Sequence, residues 1–202
     1  ILALIFVSLI YSVSYQQHRH FKALDPRGLD DSKIYIKMSR GEKVYSHLHA
    51  YRFVIPKIVS FVRPIANNLP YRKNFEEKNL YVDKTIFYIV NLTITTITTY
   101  VLFFYLRALG IPIIGSFLGT LIFITSRVTI YTVGATLVDS AQFLAVIIIC
   151  YAIVKDKVRF LSLLNPLLII SKETIVPLLI LPFFKKSFLK GYYYLSILLS
   201  FS

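Results

Sequence analysis

The apolar positions in this chain come in long runs rather than in alternation, and the runs set the first expectation. ILALIFVSLIYSVSY fills 1–15, TIFYIVNLTITTITTYVLFFYL fills 85–106 and ALGIPIIGSFLGTLIFITS fills 108–126. A helix crosses a bilayer core with about 20 residues, and the 22 residues of 85–106 suit that length. The next apolar stretch, 128–154, is interrupted at Asp139, which divides it into a short outer piece, 128–138, and a span, 140–154. In 160–184, Lys172 and Glu173 fall in the middle of an apolar sequence that also holds Pro166, Pro177 and Pro182. The prolines favour two short segments meeting at the charges over one helix with a buried ion pair. A last run opens at Gly191 and continues through 191–202. The pattern predicts an all-α protein, a polytopic transmembrane helix bundle forming a single membrane domain over 1–202. Gly115 and Gly119 stand at GxxxG spacing, which lets a neighbouring helix come close.

Between the first two spans lies a polar region, 16–84. Within it, Val44, Leu48, Tyr51, Ile55, Ile58, Val59 and Val62 recur at steps of three and four and form one apolar helix face. His49, Arg52, Pro56, Ser60 and Arg63 fall largely on the other face, and Pro56 is expected to break or kink the helix. A basic amphipathic helix after a membrane span suits the interface plane; the alternative is a core helix of a small extramembrane domain. YRKNFEEKNLYVDK, 71–84, has no apolar stripe and reads as a solvated loop leading into the next span.

Composition agrees with the pattern: 56% of the 202 residues are hydrophobic and the mean hydropathy is +0.64, against about 45–50% apolar in soluble domains. The chain starts without Met and stops inside an apolar run, so it reads as a fragment truncated at both ends, with 1–15 a retained span rather than a cleaved signal. Charge sets the orientation. The short connections 107–110, 155–159 and 185–190 carry Arg107, Lys155, Lys157, Arg159, Lys185, Lys186 and Lys190. The positive-inside rule makes these cytoplasmic and puts 16–84 outside. Region 16–84 holds 14 Lys/Arg against 7 Asp/Glu, but long regions cross largely regardless of charge. The net charge of +13 is spread over several loops, which argues against nucleic-acid binding. The one cysteine, Cys150, reads as a small buried hydrophobe. His18 and His20, like His47 and His49, stand two apart and share no helix face, so no metal site is expected from them.

In this topology the costly polar groups gather on one side: Asp30, Asp31 and Arg52 in the outer region, Arg127 and Asp139 around the outer piece, and Lys172 and Glu173 at the broken pair. Ionisable groups at membrane depth are expensive and mark functional cavities. Each has a structural alternative: Lys172 and Glu173 as an ion pair, Asp139 as an N-cap bonding backbone N–H groups near Phe143, Asp30 or Asp31 as a cap for a helix starting near Ser32. Together they predict a polar site at the membrane surface. There a carboxylate acts as general base on an acceptor hydroxyl, and Arg and Lys hold the phosphate of a lipid carrier.

Two motifs, Asp31-Ser32-Lys33-Ile34-Tyr35 soon after the first span and Tyr51-Arg52-Phe53-Val54-Ile55-Pro56 at an interfacial helix, resemble the first extracytoplasmic loop of GT-C-type membrane glycosyltransferases. ISKETIVPLLILPFF is similar to the turn between two short helices in that superfamily. The resemblance implies an integral, multi-pass membrane enzyme that takes a sugar from a polyprenyl-phosphate-linked donor, with inversion and without a nucleotide-sugar site. It implies Asp31 as catalytic base, with Asp30 second. Substrate contacts are then expected from Tyr35, Arg52, Asp139, Lys172 and Glu173. A divalent metal is the only candidate cofactor, held by no recognisable metal-ligand cluster. The competing function is a transporter or flippase of a lipid-linked or anionic solute, built on the same charges and broken helix; a non-catalytic scaffold binding anionic lipid is a third.

Overall fold

The computed structural model describes residues 1–21, 30–44, 52–66, 75–171 and 182. Among them every regular element is a helix: α1 Leu2–His20, α2 Asp30–Ser39, α3 Val54–Ala66, α4 Phe75–Ala108, α5 Ile113–Thr125, α6 Arg127–Gly134, α7 Asp139–Val154 and α8 Val158–Ser171. The all-α expectation holds for these residues.

The central element is α4, 34 residues and so about 51 Å long at 1.5 Å per residue. It packs against α1, α3, α5, α6 and α7. α1 runs antiparallel to it: Phe6 meets Phe103 near one end and His18 meets Tyr88 near the other. α7 runs parallel to it, with Ser140 on Asn91 and Cys150 within electrostatic reach of Tyr105. The bundle therefore has two distinct ends. Arg107 and the 155–159 turn share one; the C-terminus of α1, the first turns of α4 and the start of α7 share the other, where α2 and α3 pack.

Among the described residues, two apolar cores follow this division. One joins Tyr35 and Ile36 of α2, Ile55 and Val59 of α3, Val82, Ile86, Phe87 and Val90 of α4, and Leu137, Val138 and Ala141 around the start of α7. The other joins Phe6, Ile10, Tyr88, Phe103, Ile124 and Val133. Outside these cores the helices invert the usual pattern. On α4, Asp83, Asn91, Thr95, Thr98 and Thr99 are buried while Ile89, Ile97, Tyr100 and Phe104 are exposed; on α5, Ser116 and Thr120 are buried while Ile113, Ile114, Leu118 and Ile122 are exposed. A water-facing helix does the opposite. Two of these buried threonines bond within their own helix: Thr98 Oγ1 donates to Ile94 O and Thr99 Oγ1 to Thr95 O, each at 2.9 Å, whereas Thr95 Oγ1 is buried without a partner.

Several expectations need correction. The solvated loop at 71–84 is helical from Phe75 and continuous with the span, because Val82, Asp83, Ile86 and Phe87 form one inward face. Pro56 does not kink α3. It lies in the first turn, where its missing N–H has no intrahelical partner to lose. Pro56 and Arg63, assigned to the polar face, turn inward: Pro56 is buried, and Arg63 reaches Asp83.

The span expected over 108–126 is shortened at both ends. Gly110 takes φ +85° in the turn after α4, Pro112 caps α5, and Ser126 stops it. The remaining 13 residues reach only about 20 Å. Ser126 then caps α6, its hydroxyl accepting the Thr129 N–H at 3.2 Å, and the chain bends by 55°. Among the described residues only Asn79–Ala108 is by itself long and apolar enough to cross a membrane, or two spans if the bent pair counts as one. Close approach is real at Gly119, where a Cβ would sit 2.8 Å from Leu106 Cδ1 of α4. It is tighter at Gly134, where a Cβ would lie 2.5 Å from Gln17 Cγ and 2.9 Å from the His18 backbone nitrogen of α1.

Candidate functional site

The polar end is organised by a stripe on α4. Asp83, Asn91, Thr95 and Thr99 recur at multiples of four and form a row that winds about 160° round the helix, all of them buried.

Asp83 is 0% exposed and ties three elements together. Arg40, in the turn after α2, donates from Nε to Asp83 Oδ2 at 2.7 Å. Arg63 of α3 places Nε 3.0 Å from Oδ1, an ion pair whose angle is off the hydrogen-bond direction. Asn91 works about two helical turns further in. Its amide nitrogen donates to Thr132 O and Ala135 O at 3.3 Å and to Leu137 O at 3.0 Å. Two hydrogens serve three carbonyls, so at least one bond is shared. Its Oδ1 accepts from Ser140 Oγ at 2.6 Å. Asn91 thereby satisfies the carbonyls freed where α6 ends, and fixes the corner that delivers Asp139.

Asp139 is the first residue of α7. Val138 is the cap residue and no side chain caps the helix, so the expected N-cap role of Asp139 is not found. α2 likewise begins at Asp30 rather than near Ser32. One turn later, Tyr35 is buried in the core, and its hydroxyl accepts from Arg52 Nη1 at 3.1 Å. Arg52 Nη1 also lies 3.9 Å from Asp31 Oδ2. Burial pushes the Tyr35 phenol above its ordinary range; the hydrogen bond and charge of Arg52 act against this, and the charges of Asp31 and Asp139 add to it. Four of the residues expected at the site, Asp31, Tyr35, Arg52 and Asp139, are therefore electrostatic neighbours. The side chain of Asp31 is 45% exposed and open to solutes. Tyr35, expected to contact substrate, is instead a buried support for Arg52.

Asp139 also lines an open pocket of about 640 Å³ between α6 and α7, with Arg127, Tyr131 and Phe143. The side chain of Asp30, and all of Lys172 and Glu173, lie outside the described residues. Among the described residues no group of three His, Cys, Asp or Glu is placed to hold a metal.

His18, just past the apolar run of α1, stacks on Tyr88 with ring centroids 4.3 Å apart. Its Nδ1 is buried without a partner. Burial, aided by the charge of Lys84, pushes its pKa down from 6.5 to about 4. The fold thus refuses a proton that the unfolded chain accepts below about pH 6.5. Stability is expected to fall as pH drops from about 6.5 to 4 and to level off below that. Thermal unfolding in detergent across this window checks it. His18→Phe, which keeps the stack, should flatten the slope; an unchanged slope would show that His18 is not the titrating group.

Asp83, Asn91, Arg40 and Arg63 were not among the residues expected at the site. For Asp83 and Asn91 the signal was the spacing of polar positions 83, 91, 95 and 99, interrupted at Phe87; Arg40 and Arg63 carried no such signal. No protein-family model, curated protein or solved structure matches this chain.

Proposed function

We propose that the chain is part of a multi-pass integral membrane glycosyltransferase. It would move a sugar from a lipid-phosphate carrier to a hydroxyl-bearing acceptor at the polar end of the bundle. The observation that carries this is the meeting of Asp31, Arg52, Tyr35 and Asp139 at one end of a bundle that hides polar side chains and exposes apolar ones. Exposed apolar surface on α4 and α5 fits a lipid environment, and small or hydroxylated residues inside fit helix packing in lipid.

In the reaction, the acceptor oxygen bonds to the anomeric carbon as the bond from that carbon to the phosphate oxygen breaks. The lipid phosphate leaves with the bond electrons, and Asp31 takes the acceptor proton. Arg52, held by Tyr35, steadies the negative charge on the leaving phosphate. The bend of 55° between α5 and α6 favours a second reading, a flippase or transporter of a lipid-linked or anionic solute.

Transfer from polyprenyl-phosphate hexoses, assayed in membranes holding the full-length protein, tests the proposal. Asp31→Asn is expected to lower turnover about 100-fold, and Asp30→Asn far less. Full activity in Asp31→Asn, or transbilayer movement of the donor with no transfer by the wild type, would overturn it.

A further inference from the structure

The pocket between α6 and α7 is largely apolar but carries two charged side chains, Arg127 and Asp139. We infer that it binds the head of the lipid-linked donor, Arg127 taking the phosphate and Asp139 the ring hydroxyls of the sugar. This inference rests on the glycosyl-transfer reading and names the donor contacts within it.

Its charges stand on opposite walls. Arg127 is the first residue of α6 and is exposed, and among the described residues no carboxylate pairs with it. A guanidinium in that position offers a fork of donors to phosphate oxygens. Asp139 enters from the first turn of α7, and its charge also reaches Tyr35. A ligand held here therefore lies on a side chain within electrostatic reach of the Tyr35 hydroxyl that supports Arg52.

A bare anion would meet repulsion from Asp139, so the matching ligand carries neutral hydrogen-bond donors beside its phosphate. Sugar hydroxyls supply them. Tyr131 and Phe143 add aromatic surface suited to the C–H face of a pyranose ring, and the volume of about 640 Å³ lies in the range of small-ligand pockets. The walls are also held in place. Thr132 and Leu137, both in the lining, have their carbonyls bound by Asn91, and Ser140 next to Asp139 is bound by the same side chain. Preformed walls lower the ordering cost of binding.

The test measures binding to the full-length protein in phosphatidylcholine nanodiscs. The probes are undecaprenyl phosphate, its hexosyl derivative, soluble hexose 1-phosphate and phosphatidylethanolamine. Arg127→Ala is expected to weaken both polyprenyl phosphates by about tenfold or more, with partial rescue in Arg127→Lys. Asp139→Asn is expected to weaken the hexosyl lipid and to leave undecaprenyl phosphate bound as tightly or more tightly, because the repulsion of a bare anion is removed. Unchanged affinities in Arg127→Ala, equal loss of both lipids in Asp139→Asn, or tighter binding of phosphatidylethanolamine than of the hexosyl lipid would each overturn the assignment. If these affinities behave as expected while Asp31→Asn still transfers sugar, the pocket stands and the catalytic role of Asp31 falls.

Discussion

Asp83→Ala is expected to destabilise the polar end by about 3 kcal/mol, because removing one partner of a buried ion pair strands the other. Here two guanidiniums are stranded at once. Arg40 and Arg63 are only 28% and 22% exposed, and both turn toward Asp83. Asp83 also sits at 0% exposure among Val82, Ile86 and Phe87, where water cannot replace it. The loss should appear as earlier release of α2 and α3 from α4, read by hydrogen exchange in detergent. Removing all three charges with apolar residues of similar volume should recover much of the stability. A wild-type exchange pattern in Asp83→Ala would mean that other contacts hold α2 and α3.

Asn91→Ala is expected to cost somewhat more, roughly 4 kcal/mol, by a different route. Three carbonyls and the Ser140 hydroxyl lose their partner in a dry interior, at about 1 kcal/mol or more each. Asn91→Asp should be worse, since it replaces the donor with a carboxylate facing the carbonyls of Thr132, Ala135 and Leu137. Because Asn91 holds the corner before Asp139, both variants should also lower any activity that depends on Asp139. Thermal unfolding checks the first effect. Asn91→Ala unfolding at the wild-type temperature would contradict the latch.

The apolar runs in the sequence were enough to place α1, α4 and α7 and to call the chain helical. The topology read from the sequence places Asp31, Arg52 and Asp139 on one side, and the structure puts these three near one another; Tyr35 enters that reading only through the resemblance. The misjudged parts have physical causes. Charges in 71–84 suggested solvent exposure, yet Asp83 is charged and buried because arginines from two other elements neutralise it. Such pairing joins residues 20 and 43 positions apart, which local pattern does not reveal. The short α5 and the bend at Ser126 arise from a cap and a turn that cut through a continuously apolar run. Pro56 is harmless because α3 starts just before it.

The proposed function requires the two ends of the bundle to face opposite sides of a membrane. Single cysteines at Glu42 and Lys157, both exposed, report this directly once Cys150 is replaced by serine. A membrane-impermeant maleimide is expected to label Glu42→Cys in intact cells and Lys157→Cys only after permeabilisation. Labelling of both positions in intact cells, or of Lys157→Cys alone, would contradict an outward-facing site.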